Sequence, residues 1–175
     1  LRGDLLTTTD ARGNVTTNAY DPMDRLARST DALGQATLFA YDQAGNLATV
    51  TDPLGFATHN VYDGRNRLVE TTDPEGGVTR FAYDSDDNLV SVLDPVGNET
   101  LFRYDARDRL VQETDPLGAT TVYAYDAADN LVRKTDRNGR ATEFAYDDLD
   151  RLATETWLAD DGATAVNTIQ YAYDK

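Results

Sequence analysis

Thr114-Asp115-Pro116-Leu117-Gly118-Ala119-Thr120-Thr121-Val122-Tyr123-Ala124-Tyr125-Asp126-Ala127-Ala128-Asp129-Asn130-Leu131 holds two turn signatures and the strand between them. In Asp115-Pro116-Leu117-Gly118 the Asp carboxylate can accept from amides ahead of it, Pro presets φ at the second position, and Gly takes the fourth. That is the signature of a type I turn. The second turn starts at Asp126 and places Asp129 three residues on, a residue type that tolerates left-handed backbone geometry. Ala119 to Tyr125 and Arg109 to Thr114 have the β-branched and aromatic composition and the length of strands.

Working outward, the same stretch recurs along the chain. Tyr-Asp stands at Tyr20-Asp21, Tyr41-Asp42, Tyr62-Asp63, Tyr83-Asp84, Tyr104-Asp105, Tyr125-Asp126 and Tyr146-Asp147, a constant step of 21 residues. An eighth copy, Tyr173-Asp174, follows after 27. Asp10, Asp31, Asp52, Asp73, Asp94, Asp115 and Asp136 keep the step, each followed three residues later by a glycine: Gly13, Gly34, Gly55, Gly76, Gly97, Gly118 and Gly139. Leucine fills another register (Leu5, Leu26, Leu47, Leu68, Leu89, Leu110, Leu131, Leu152), and threonine a fourth, from Thr16 to Thr142. A fixed period of this size marks a repeat architecture, in which each unit buries its apolar surface mainly against its neighbours. The expected fold is all-β: tandem antiparallel β-hairpin repeats of 21 residues in a continuous coiled sheet, part of a β-shell or solenoid. Residues 1–147 read as seven such repeats and 148–174 as an eighth, longer repeat with an extended hairpin. The cut in phase with the repeat, and the lack of a polar or helical end cap, read as a segment of a longer array.

An odd period conflicts with the two-residue alternation of strand side chains, so each unit needs one odd step. A three-residue loop with a G1 bulge supplies one. Placed in the Tyr-Asp turn, it sets Tyr20 opposite Leu26, and across the next turn Leu26 opposite Phe39. One face then carries Leu, Phe, Tyr and Thr, and the other the small series Ala27, Ala48, Val69, Val90, Val111, Val132 and Ala153. Placed in the Asp-Pro-x-Gly turn, it makes Leu share a face with Ala19 and Ala40. The first arrangement is favoured because it separates bulky from small side chains and builds aromatic-aliphatic pairs across strands.

The formal charge of -15 is largely turn chemistry, since the two aspartate registers account for fifteen acidic residues. So acidic a chain repels phosphate backbones, which argues against nucleic acid as a partner. With no cysteine, disulfide and thiol chemistry are excluded. No apolar run approaches the roughly 20 residues needed to span a bilayer, and no signal-peptide pattern is read; a targeting signal is expected outside this stretch.

Two departures from strict repetition stand out. Trp157 replaces the expected turn aspartate, and six extra residues carry a later turn at Asp160-Asp161-Gly162, so the last hairpin is expected to be longer and to project at one edge. Beside the invariant leucine, Arg25, Asn46, Arg67, Asn88, Arg109, Asn130 and Arg151 alternate strictly. A duplicated ancestral pair explains the alternation; pairing of each arginine with a carboxylate on alternate turns is the functional reading.

Enzyme chemistry finds little support. His59 is the only histidine and occupies an ordinary strand register. General acid-base work needs a desolvated carboxyl, whereas turn aspartates face water. Asp84-Ser85-Asp86-Asp87-Asn88 resembles the start of a calcium loop but lacks the following glycine and distal glutamate. Arg2-Gly3-Asp4 falls in a turn register. The acceptor patterns Asn14-Val15-Thr16 and Asn98-Glu99-Thr100 arise from the template threonines. No catalytic, cofactor or metal residue is assigned; Tyr20, Asp21, Leu26, Asp31, Gly34, Tyr41, Asp52, Gly55, Tyr62, Leu68, Asp73, Gly76, Tyr83, Tyr104, Tyr125 and Tyr146 are structural repeat positions.

Tyr125-Asp126-Ala127-Ala128-Asp129-Asn130-Leu131, Tyr146-Asp147-Asp148-Leu149-Asp150-Arg151-Leu152 and Thr114-Asp115-Pro116-Leu117-Gly118 resemble the motifs of the RHS/YD-repeat family, found in bacterial polymorphic-toxin shells, insecticidal toxin-complex carriers and teneurins. The resemblance covers the whole chain. It implies a structural segment of an exported, secreted or cell-surface protein, forming part of a hollow β-shell that encloses or displays a C-terminal cargo such as a toxin. The implied partners are neighbouring repeats and an encapsulated toxin domain. The alternative is a surface adhesin or fibre that binds carbohydrate or cells, for which only the Trp157 region offers an irregular exposed aromatic. Unpaired strand edges also imply self-association.

Overall fold

The computed structural model describes residues 4–174, so Arg2 and Gly3 of the Arg2-Gly3-Asp4 tripeptide lie outside the described residues. The chain is all strand and turn. Its strands are β1 (Thr7–Thr9), β2 (Val15–Tyr20), β3 (Leu26–Thr30), β4 (Ala36–Tyr41), β5 (Leu47–Thr51), β6 (Ala57–Tyr62), β7 (Leu68–Thr72) and β8 (Val78–Tyr83). They continue as β9 (Leu89–Leu93), β10 (Glu99–Tyr104), β11 (Leu110–Thr114), β12 (Thr120–Tyr125), β13 (Leu131–Thr135), β14 (Ala141–Tyr146), β15 (Leu152–Leu158) and β16 (Ala165–Gln170). All sixteen hydrogen-bond in sequence order as one open antiparallel sheet, with β1 and β16 as its edges.

By backbone proximity the chain divides into two units. One comprises Leu1–Phe81 with Asp94–Val96, the other Ala82–Leu93 with Gly97–Lys175. In each, the sheet is one layer thick, with strands touching their sequence neighbours. Among the described residues the first unit has no buried hydrophobic side chain, and the second has two, Ala141 and Leu158. Hydrophobic burial therefore comes from side chains lying against others on the same face, not from a second layer, as nearest-neighbour repeat architectures require.

The template explains the strand lengths. Each strand that ends in the Tyr of Tyr-Asp pairs with the strand that begins at the next invariant Leu: Tyr20 opposite Leu26, Tyr41 opposite Leu47, Tyr62 opposite Leu68, Tyr104 opposite Leu110, Tyr125 opposite Leu131 and Tyr146 opposite Leu152. This is the register expected for a three-residue Tyr-Asp loop. The last residue of the loop takes the left-handed conformation, with φ of 62° at Asp24, 94° at Gly45, 62° at Asn66 and 71° at Asp129.

The other turn corrects the expected register. Gly34 also adopts positive φ, 80°, and its amide donates to Asp31 O at 3.0 Å, which closes the type I turn. The loop runs one residue further, however: the Asp31 amide donates to Gln35 O at 2.9 Å, and the same closure joins Asp52 to Phe56 and Asp115 to Ala119. Both turns are thus three-residue loops of one kind, and across β3–β4 Arg28 faces Leu38 and Thr30 faces Ala36, a register one residue out of step with the expected Leu26–Phe39 pair. Each loop joins residues an even number apart, so neither supplies the odd step.

That step lies in the strand. The pairing shifts between Ala19 and Tyr20 in β2–β3, because Tyr20 faces Leu26 while Ala19 faces Arg28, which leaves Ala27 as an extra residue. The same bulge recurs between Ala40 and Tyr41, Val61 and Tyr62, Arg103 and Tyr104, Ala124 and Tyr125, and Ala145 and Tyr146. A bulge inserts one unpaired residue and so restores the face of everything beyond it. The small series Ala27 to Ala153 consists of these bulge residues. On β4, Thr37, Phe39 and Tyr41 are half-buried on one face, while Leu38 and Ala40 on the other are exposed.

Candidate functional surface: the coupled turns

The functional candidate is the repeated device that ties one hairpin to the next. In the Tyr-Asp turn, Asp21 Oδ1 accepts from the amides of Met23 at 2.8 Å and Arg25 at 3.0 Å. Its Oδ2 accepts from Arg25 Nε at 2.8 Å. Asp63 with Arg67, Asp105 with Arg109 and Asp147 with Arg151 repeat the geometry. On intervening turns the amide of Asn46 reaches Asp42 Oδ2 at 2.9 Å, and Asn88 and Asn130 reach Asp84 and Asp126 at 3.2 Å. The alternation therefore places two residue types in one role, since arginine and asparagine each donate to the carboxylate of their own turn.

Several of these donors also reach forward. Asn46 Nδ2 bonds Asn66 Oδ1 at 3.0 Å, Asn88 bonds Asp108 at 2.8 Å and Asn130 bonds Asp150 at 3.0 Å. Arg109 Nη1 meets Asp129 Oδ1 at 2.6 Å. The guanidinium carbons of Arg25 and Arg109 sit 4.4 and 4.8 Å from the ring centres of Tyr41 and Tyr125, one hairpin on. Such contacts are favourable because the ring face is electron-rich.

The invariant tyrosine and leucine form the second tie. Tyr41 Oη donates to Leu26 O at 2.9 Å. Tyr20 does so to Leu5, Tyr62 to Leu47, Tyr125 to Leu110, Tyr146 to Leu131 and Tyr173 to Leu152, at 2.8–3.1 Å. The bulge explains the need. The β3–β4 ladder begins at Arg28, opposite Leu38, so the Leu26 carbonyl lies beyond its end. A sheltered carbonyl without a partner is costly, and the phenol hydroxyl fills the gap. Asn18 and Asn60 add a second donor to the Leu5 and Leu47 carbonyls.

The second turn repeats the aspartate device. Asp31 Oδ1 accepts from Leu33 N and Gln35 N, Asp52 from Leu54 N and Phe56 N, and Asp73 from Glu75 N and Gly77 N, all at 2.8–2.9 Å. Gly76 has φ of 87°, and Gly55 91°. The tips of these turns are apolar and bare: Leu33, Leu54, Val96 and Leu117 are 81–93% exposed.

Hydrogen bonds favour the ionised form of these carboxyls. The Arg109 guanidinium, followed by the Arg107 amide, holds Asp105 down at about 2. Asp63 and Asp147 are lowered by their arginines, Asp42 by Asn46, and Asp21 first by the Arg25 amide. The half-buried phenols of Tyr104 and Tyr146 are pushed up by desolvation.

The remaining sequence candidates sit in ordinary places. His59 Nδ1 lies 3.2 Å from Thr49 Oγ1 on the strand opposite. Asp84 Oδ1 accepts from the amides of Asp86 and Asn88, so the calcium-like stretch is a Tyr-Asp turn. Asn14 Nδ2 is engaged by Asp10 at 2.8 Å. Tyr83 closes β8, and Leu68 opens β7. The reading missed Arg133: its Nη2 donates to Gly162 O at 3.0 Å, so the tip of the longer β15–β16 hairpin is tied to β13 instead of projecting freely. No spacing in the sequence signals that contact.

The family model described as RHS Repeat matches residues 1–32, 20–57, 62–99, 83–120, 104–135 and 125–156. No curated protein matches the sequence. Solved structures similar to the chain include TcdB2-TccC3 with Cdc42, at TM-score 0.75 and 14% identity over 90% of this chain and 10% of that one. TcdB2-TccC3 without its hypervariable C-terminal region gives TM-score 0.74 and 16% identity, again over 90% of this chain and 10% of that one. The Photorhabdus luminescens Tc holotoxin pore gives 0.60 and 19%, over 97% of this chain and 12% of that one. The chain spans about a tenth of the length of these structures.

Proposed function

The chain belongs to the RHS repeat family, and from that membership we propose that it is a structural wall segment of an exported protein whose repeats build a hollow β-shell around a C-terminal cargo such as a toxin. The observation that carries this reading is the one-layer sheet in which hairpin after hairpin is tied to its neighbour through Tyr hydroxyl, Leu carbonyl and turn carboxylate. Such a sheet is suited to extend as a wall, because its order rests on the next hairpin and not on a core. The bare apolar tips at Leu33, Leu54, Val96 and Leu117 are suited to packing against further wall. On this reading the protein is not an enzyme. The turn carboxyls are held ionised by their donors, which fits structural pairing and disfavours general acid catalysis.

Limited proteolysis of the parent protein tests the enclosure. The segment following the repeats should resist a protease until denaturant opens the array, and then be digested in the same step as the array. Digestion at equal rates with the array folded and unfolded contradicts enclosure.

A further inference from the structure

Where the eighth unit abandons the template, the sheet acquires a concavity. Because Trp157 stands where a turn aspartate is expected, β15 runs on to Leu158 and the turn forms later, between Ala159 and Thr164. The extension overhangs the Asp136–Arg140 turn and leaves a cleft of about 320 Å³, lined among others by Lys134, Asp136, Arg140, Thr142, Trp157 and Leu158. Ala141 and Leu158, the two buried hydrophobic side chains among the described residues, both line it.

The pairing registers place Tyr123, Lys134, Thr142, Trp157 and Asn167 in one row across five strands, on a single face. Thr142 is short, so it forms a floor between Lys134 and Trp157. Neighbouring strands lie about 4.8 Å apart, which sets Lys134 and Trp157 about 10 Å from each other. Trp157 is 46% exposed. Its Nε1 donates to Glu155 Oε1 at 2.6 Å, and Tyr171 Oη meets the other oxygen at 3.3 Å, so the indole is oriented and that carboxylate is engaged. Arg140 is neutralised by Asp136, with contacts at 2.8 and 2.7 Å. Lys134 has no carboxylate partner among the described residues; its ammonium lies 5.8 Å from the Tyr123 ring centre. The cleft thus offers an oriented aromatic plate, a hydroxyl and a cation with no carboxylate partner among the described residues, within a chain of net charge -15.

We propose that this cleft binds an acidic sugar of the uronic type, with the apolar face of the pyranose on Trp157 and its carboxylate on Lys134. An indole face and a pyranose face are both flat and apolar, and hydroxyls at the sugar rim need nearby polar partners such as Thr142. A neutral sugar lacks the charge-assisted contact with Lys134, and a simple carboxylate leaves Trp157 uncovered. The inference stands whether the parent forms a shell or a fibre.

Trp157 is the only tryptophan, so its emission reports directly on the site. The 175-residue chain is titrated with D-glucuronate, D-glucose and acetate at constant ionic strength. Glucuronate should shift the emission saturably and bind about tenfold tighter than glucose, the value of one charge-assisted contact. Acetate should produce no saturable change. Lys134→Gln should lower glucuronate affinity about tenfold, to the glucose level, and Lys134→Arg should retain most of it. Strand circular dichroism confirms folding of each variant, and calorimetry of Trp157→Ala should show no glucuronate heat. An equal response to glucose and glucuronate, a saturable acetate response, an unaltered Lys134→Gln, or no saturation by glucuronate each overturns the proposal.

Discussion

A tyrosine hydroxyl that reaches a leucine carbonyl one hairpin back is the smallest unit of this protein's order. Tyr41→Phe removes that donor from Leu26 and keeps the ring, so it should cost about 1–2 kcal/mol, the range for an orphaned sheltered carbonyl. Urea unfolding checks this, with Tyr104→Phe as the comparison, since Tyr104 shows no such bond among the described residues and should lose less. Glycine supplies a second test. Gly55 sits at φ of 91° with open space where a Cβ would go, while Gly64 has equal space and ordinary φ. Gly55→Ala should therefore cost about 1 kcal/mol by strain alone, and Gly64→Ala close to nothing. The turn carboxyls make a prediction in pH. Asp105 is depressed from 3.8 to about 2, so its contribution is present above the unfolded value and lost as pH falls through the folded one. Acid unfolding followed by circular dichroism should begin below about pH 4, and Arg109→Gln should move its midpoint upward. At this scale much was legible in the sequence: the left-handed residues at Asp24, Asn66 and Asp129 follow from turn chemistry alone. The Tyr-Leu tie was not, because it depends on which carbonyl the bulge leaves beyond the ladder.

At the scale of the hairpin, the sequence demanded an odd step and the expected place for it was wrong. Asp-Pro-x-Gly reads as a four-residue turn, but a left-handed Gly34 carries the loop on to Gln35 and matches it to the Tyr-Asp loop. The parity is then restored inside the strand at Ala27 and its equivalents. These residues are small or β-branched because two successive side chains crowd one partner there. Deleting Ala48 should remove the odd step and turn the downstream strands over, exposing Phe and Tyr where Ala and Leu now stand. The deletion should broaden the thermal transition and raise binding of a hydrophobic dye, whereas Ala48→Val, the residue of four other units, should leave both unchanged. The last hairpin shows the limit of template reading, since its longer strand followed from the missing aspartate but its tether to Arg133 did not.

For the whole molecule, order is nearest-neighbour order in a single-layer sheet whose first and last strands have no further strand beside them. Both edge strands are exposed along their length, Thr7–Thr9 and Ala165–Gln170. Bare edges recruit partners. Sedimentation at rising concentration should therefore show head-to-tail association, strengthened by salt because each copy carries -15; a monomer at every concentration and salt opposes it. Fold class and period were legible from the four registers, because a repeat states its rule many times over. The proposed cargo was not, since no register of the repeat depends on what a shell would hold. The most direct test of the account is a cryo-EM map of the longest native form that contains this array. The account predicts a hollow wall one sheet thick with density inside it. A solid fibre without a lumen would contradict it.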